Sequence, residues 1–444
     1  MTNIVIIGAN HAGTAAANTI LDNYPEATLT LFDRNSNISY LGCGTALWVG
    51  RQIDDPESLF YCSAEKFRAR SAKVHMETEV THIDFEQKTV HAVDKEGREI
   101  AAPYDKLILA TGSLPILPRI EGLNLPNVQS VKLYQDGARI DRALESEHIG
   151  TVAVVGAGYI GVEIAEAIQR RGRHAMLFDV AEGSLTSYYD DWFSKDMDRI
   201  LEQNGVELHF QETVAAIKGV GAVSAISTDK GEYAADMVIL CIGFVPNSIL
   251  GREKLATIPN GAYLVDRMQR TSLKDVYAIG DCAAVYNNAL QGCNYVALAT
   301  NAVRSGIIAA HNACGTHMES SGVQGSNGIH IFGYNMVSTG FSLTAAKKAG
   351  FDAAYTQYED LQKPSFVKAE NAPVKLRIVY DKATRRILGA QMASAYDISM
   401  GIHMFSLAVE EGVTIDKLKL LDIFFLPHFN QPYNYITLAA LAAK

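Results

Sequence analysis

The chain has 444 residues, of which 48% are hydrophobic and 20% charged, and carries a formal net charge of −10. Length predicts about three domains and composition an ordinary globular protein, while the acidic balance argues against nucleic acid or an anionic membrane as partner. There is no apolar run of membrane-spanning length, no signal-like N-terminus, and no metal spacing or disulfide framework among six scattered cysteines, so a cytoplasmic protein without a bound metal is expected.

Residues 4–7 read as an apolar strand, 8–13 as a glycine-rich turn, 14–23 as a helix and 28–32 as a second strand ending at Asp33. The same grammar recurs from Thr151, with a strand at 152–155, a turn at 156–161, a helix at 162–171 and a strand at 175–178 ending at Asp179. This internal repeat of a nucleotide-binding unit predicts two bound dinucleotides. Strand-like segments at 104–110 and 237–242 close the two units, running into Thr111-Gly112-Ser113 and Gly243-Phe244-Val245-Pro246. After Pro246 the chain is expected to return to the first domain through 275–279 and Gly280-Asp281, and a Gly- and Ser-rich linker spans 315–328. Strands at 375–380 and 387–392, joined across 381–386, and a helix at 399–411 then predict an α+β domain of the kind that builds a dimer interface.

Gly156-Ala157-Gly158-Tyr159-Ile160-Gly161 is a full G-x-G-x-x-G between strand and helix, with Asp179 about 20 residues on. Its glycines allow a tight turn, approach of the backbone to a pyrophosphate, and packing of the helix on the strand. Asp179 would accept hydrogen bonds from ribose hydroxyls and repel a 2′-phosphate, favouring NADH over NADPH. The first turn, Gly8-Ala9-Asn10-His11-Ala12-Gly13, replaces the second glycine with Asn10 and has Asp33 as its ribose acid. A later strand ending in Gly280-Asp281 can present backbone and carboxylate to the ribityl chain of FAD, a contribution that NAD binding does not call for. The expected fold is therefore α/β, with two Rossmann-like domains and a C-terminal α+β dimerisation domain. A discontinuous FAD-binding domain would cover 1–120 and 245–322, an NAD-binding domain 121–244, and the C-terminal domain 323–444.

Cys43 stands alone in Ser39-Tyr40-Leu41-Gly42-Cys43-Gly44, and Trp48 occupies the place where a C-x4-C pair would have its second thiol. A lone thiol beside a flavin can cycle between thiolate and sulfenic acid or form a mixed disulfide, but it cannot close a local disulfide. Because 45–51 can start a helix, the Cys43 pKa is expected to fall below roughly 8.5. Cys62, Cys241, Cys282, Cys293 and Cys314 are read as small buried apolar residues. His11, at the positive end of a helix on the cofactor-facing loop, is expected to be a neutral base near pH 7.

These motifs together, with Ala110-Thr111-Gly112-Ser113 and the C-terminal Pro427-His428-Phe429, resemble the single-cysteine pyridine-nucleotide flavoproteins over the whole chain. That group contains NADH oxidases, NADH peroxidases and coenzyme A disulfide reductases. The segment 298–306, followed by 310–315, is most similar to the water-forming NADH oxidases of lactic acid bacteria. Peroxidases place an arginine where this chain has Val303, with Arg304 one place later, and the reductases' C-terminal tyrosines are matched here by Phe424-Phe425-Leu426-Pro427.

The resemblance implies FAD contacts at Gly8, Asn10, His11, Gly13, Asp33, Cys43, Val80 at a strand end, Ala110, Thr111, Gly112, Ser113, Lys132, Asp281 and Ala299, with Phe425 reaching the flavin of the other subunit. It implies NADH contacts at Gly156, Gly158, Tyr159, Ile160, Gly161, Asp179, Tyr188 and Gly243, Tyr159 acting as an aromatic gate. It further implies an NADH oxidase that takes dioxygen to water with two NADH, in which Cys43 cycles through sulfenic acid and His11 moves the proton. The alternatives are an NADH peroxidase, a coenzyme A disulfide or polysulfide reductase, and a redox-sensing flavoprotein with negligible turnover. The expected assembly is a homodimer, with pairing into tetramers left open.

Overall fold

The computed structural model describes residues 2–444. Two parallel five-stranded sheets carry the repeat. In the first, Val276–Ala278, Lys106–Leu109, Asn3–Ile7, Thr28–Phe32 and Lys73–His75 lie side by side in that order. The second runs Glu207–Phe210, His174–Asp179, Thr151–Val155, Met237–Leu240 and Val128–Ser130. Their central strands are almost wholly apolar and buried, as parallel strands covered on both faces must be. The segment Val276–Ala278 pairs with Lys106–Leu109, so the chain does return to the first sheet after leaving the second.

Both fingerprint helices start earlier than expected, at His11–Asn23 and Tyr159–Arg170. The third glycine of each turn therefore sits inside the first helical turn. Asn10 and Gly158, both extended, take the cap positions, and their carbonyls accept from Thr14 and Val162 at 2.8 and 3.0 Å. Glycine is tolerated inside these helices because no side chain fits. A Cβ on Gly13 would overlap the Gly8 carbonyl, and one on Gly161 the Gly156 carbonyl. Gly8 and Gly156 themselves turn at φ +101° and +103°, where an L side chain is strained. Gly161→Ala is expected to lower stability by on the order of 3 kcal/mol through overpacking. A thermal melt of the purified variant checks this, and an unchanged Tm would refute the packing argument.

The third sheet is antiparallel: Asn327–Ile331, Tyr334–Gly340, Ile387–Ser394, Pro373–Asp381 and Ala353–Leu361. Every residue of its central strand Ile387–Ser394 is buried. One face packs on the helix Ser399–Glu410, while Ile329, Ile331, Met336 and Ala393 join the core of the second parallel sheet. Two three-stranded antiparallel sheets (Thr78–Asp84 with its neighbours, and Val214–Lys218 with its own) accompany the parallel sheets, and sequence periodicity did not reveal them. Val80 is the third residue of Thr78–Asp84 and not a strand end. Among the described residues no helix is long and apolar enough to cross a membrane.

Candidate active site

A cleft of about 1440 Å³ runs along the carboxyl ends of both parallel sheets and is closed on one side by the C-terminal domain. Parallel strands end together, so the loops that follow them converge on one edge, the usual ligand position in such sheets. Gly8, Asn10, His11, Asp33, Cys43 and Val80 line it, as do Ala110 to Ser113, Lys132, Asp281 and Ala299. From the second unit come Gly156, Gly158, Tyr159, Ile160, Asp179, Tyr188 and Gly243. Gly13 and Gly161 are not in its wall; they lie where each helix meets its strand. Phe425 does not enter the cleft of its own chain and is 46% exposed, within an apolar surface that includes Leu420, Phe424, Leu426, Phe429 and Tyr433.

The two units are built alike down to single hydrogen bonds. Asp33 accepts from the Ala9 N–H at Oδ2 and the Asn35 N–H at Oδ1, both at 2.7 Å. Asp179 accepts from the Ala157 N–H at Oδ2 (2.6 Å) and the Ala181 N–H at Oδ1 (2.8 Å). Each acid thus shapes its glycine turn and keeps free lone pairs for ribose hydroxyls. Burial pushes the Asp33 carboxyl up against those two donors. A Cβ on Gly158 would meet no protein atom, so the backbone there faces open cleft, as approach to a pyrophosphate requires. This geometry fits two dinucleotides lying end to end.

Deeper in the first unit, Lys132 Nζ donates to Ser113 Oγ at 2.7 Å, Ser113 donates to Asp281 Oδ2 at 2.8 Å, and the ammonium lies 4.4 Å above the Phe244 ring. On the other side Tyr159 meets Tyr188 edge-on at 4.5 Å, and its hydroxyl is held by Tyr189 at 3.0 Å and by Asn327.

Cys43 lies in a single 3₁₀ turn, Gly42–Gly44, ahead of the five-residue helix Thr45–Val49. It is exposed to the cleft, and Trp48 is buried behind it against Tyr134, ring centres 5.1 Å apart. The expected lowering of its pKa is overturned. Burial first and Glu163 second push the thiol up, outweighing the Cys43 and Gly44 N–H groups. A helix this short supplies little field against the loss of hydration. The remaining cysteines also depart from a uniform buried class, since only Cys282 is fully buried and Cys293 is exposed on a hairpin.

His11 is held towards its neutral form, as expected, but chiefly by burial. Lys132 adds to this and Asp281 opposes it. Its Nδ1 lies 3.0 Å from the Tyr61 hydroxyl, with the two rings nearly parallel.

Sequence reasoning missed Glu163, a cleft carboxyl that burial, then Glu166, pushes up to about 7. Its signal was available, because it lies four residues after Tyr159 on one helix face. Tyr61 and Asn327 had no such signal, being brought in from 50 and 168 residues away.

Residues 2–306 match the pyridine nucleotide-disulphide oxidoreductase family, and 328–434 match the dimerisation domain of the same name. An NADH oxidase of Streptococcus pyogenes is 57% identical over 456 residues, covering all of both chains. An NADH oxidase of Lactococcus lactis is 56% identical over 444 residues, covering 99% of this chain and 100% of its own length. Among solved structures, the water-forming NADH oxidase from Lactobacillus brevis bound to NADH is similar with a TM-score of 0.96 and 36% identity, over 100% of this chain and 98% of its own.

Proposed function

The chain belongs to the pyridine nucleotide-disulphide oxidoreductase family, and from that premise we propose its reaction and the residues that carry it. It is an FAD-dependent NADH oxidase that reduces dioxygen to water with two NADH. The observation that carries this reading is one cleft joining two dinucleotide sites around the Cys43 thiol and a neutral imidazole. Relatives of full matching length that are NADH oxidases support it.

Bound FAD supplies the two-electron exchange between NADH and dioxygen. Residues 1–120 and 245–322 form its domain, residues 121–244 that of NADH, and 323–444 the dimerisation domain. Asp33 and Asp179 take the ribose hydroxyls. The glycine turns and helix N-termini of the two units receive the pyrophosphates. Tyr159, tied to Tyr189 and Asn327, covers the nicotinamide position until NADH displaces it.

Cys43 removes the peroxide that oxygen reduction yields. Its thiol sits above the ordinary range, so neutral His11 takes the thiol proton as the sulfur attacks one peroxide oxygen. The O–O bond breaks, the sulfur is oxidised to sulfenic acid, and the other oxygen leaves as water with the proton returned by His11. Two electrons from the second NADH and two protons then convert the sulfenic acid back to the thiol and a second water. With Trp48 where a second cysteine would sit, the sulfenic acid has no second thiol in its own loop to condense with.

We place the enzyme in the cytoplasm, in keeping with its free cysteines, and as a homodimer formed through the exposed apolar surface around Phe424 and Phe429. Phe425 extends that surface towards the partner's cleft.

The deciding experiment is the ratio of NADH to dioxygen consumed, with and without catalase. Two NADH per dioxygen, unaffected by catalase, is expected. One per dioxygen with peroxide accumulating would overturn water formation, and consumption of added peroxide or disulfide in place of dioxygen would mark a peroxidase or a reductase.

A further inference from the structure

Water formation takes up two solvent protons per dioxygen (2 NADH + O₂ + 2 H⁺ → 2 NAD⁺ + 2 H₂O), and His11 lines the cleft. We infer that Tyr61 is the positioning residue that fixes the His11 imidazole and passes protons between it and solvent. This inference rests on the oxidase reading above.

Four observations carry it. The Tyr61 hydroxyl lies 3.0 Å from His11 Nδ1, and the rings stack at 4° with centres 5.9 Å apart. Tyr61 itself is outside the cleft wall and 43% exposed, whereas His11 is in that wall. Nδ1 is thus engaged on the solvent side, leaving Nε2 as the nitrogen for the cleft. Finally, the Tyr61 segment is clamped to the loop leading into Cys43. Phe60 bridges to Tyr40, Leu41 N–H donates to the Leu59 carbonyl at 2.9 Å, and Ser39 Oγ both accepts from Cys62 N–H and donates to the Cys62 carbonyl at 2.8 Å. The same short stretch of chain therefore sets both the thiol and the phenol that holds the imidazole.

A phenol suits this place because it is both donor and acceptor. When Nε2 carries the ring proton, Tyr61 donates to Nδ1; when Nε2 is bare, Nδ1–H donates to Tyr61. The neutral ring can therefore face Cys43 as acid or as base, the balancing proton moving through the Tyr61 oxygen to or from water. Both partners stay uncharged between turnovers. Burial, and beside it Cys62, push the phenol up to about 12. Burial and Lys132 lower the imidazole while Asp281 raises it. The charged groups that act on the imidazole are Asp281 and Lys132.

The test is Tyr61→Phe, which keeps the stacked ring and removes the hydroxyl, measured in the FAD-loaded enzyme. Anaerobic reduction by NADH and the KM for NADH should stay within about twofold, because neither uses His11. Aerobic kcat should fall by roughly tenfold, a fraction of what general acid–base catalysis supplies. The solvent deuterium isotope effect on kcat should rise, the pH profile should shift, and small buffer acids should restore part of the rate. Unchanged kcat, isotope effect and pH profile would overturn the relay, and equal loss in both half-reactions would reduce Tyr61 to a packing role. Failure of the oxidase reading shows separately, as a wild-type enzyme that does not consume two NADH per dioxygen.

Discussion

Cys43→Ser is expected to go on oxidising NADH with dioxygen but to release hydrogen peroxide, the ratio of NADH to dioxygen falling from two to one. The cofactor turns do not depend on the sulfur. Cys43 is exposed to the cleft, and its loop is held through other groups, notably Thr45 Oγ1 donating to the Gly42 carbonyl at 2.7 Å and Leu41 N–H to the Leu59 carbonyl. A serine hydroxyl ionises far above any working pH and does not attack peroxide, so the second reduction is lost while the first remains. No other thiol can stand in. Cys241 also reaches the cleft wall, but burial, then Glu163, push it up to about 12. Cys62 is turned away from the cleft, towards the Ser63 carbonyl. An oxygen electrode with and without catalase reads the result, since catalase returns half of the oxygen from peroxide. A serine variant that still makes only water would remove the cysteine from the mechanism.

The parts of this site that could be read from sequence are those where backbone geometry restricts residue type. Glycines at both turns and acids at both strand ends are what a tight strand–turn–helix demands, and they recur because the unit is duplicated. The double anchoring of each acid to its own loop was not legible, yet it follows from the same spacing once the turn is built. What failed was the acidity of Cys43. A helix end was visible in the sequence, but the burial and the Glu163 carboxyl that outweigh it come from packing between elements more than a hundred residues apart. The helices start three residues earlier than the glycine pattern predicts, because the third glycine of each turn is the only residue that fits inside the first helical turn. Val303 illustrates a further limit. The structure leaves it outside the cleft wall that its neighbours Ala299 and Ala302 join, so its bearing on the choice of oxidant rests on family resemblance.

The other large effect expected is on coenzyme choice. Asp179→Ala should lower the preference for NADH over NADPH, measured as the ratio of the two kcat/KM values, by roughly 10- to 100-fold, or about 1.4 to 2.7 kcal/mol. Part of this is the lost acceptor for ribose hydroxyls and part the lost repulsion of a 2′-phosphate. Both carboxylate oxygens also hold backbone N–H groups, of Ala157 and Ala181, so the alanine variant additionally loosens the turn and should bind NADH less well. Asp179→Asn separates these effects, removing the charge while keeping an acceptor oxygen for one of the N–H groups. A full inversion towards NADPH is not expected, because Glu212 stands in the same cleft wall. Burial works against its charge, but hydrogen bonds from Thr228 and Tyr233 hold its carboxyl below the usual range, so it stays ionised and still repels a phosphate. FAD content should be unchanged in both variants, since Asp33 serves the other unit through its own pair of N–H donors. An unaltered coenzyme ratio in Asp179→Ala would take the residue out of the ribose site, and a loss of FAD would show that the two units are less independent than their separate hydrogen-bond sets indicate.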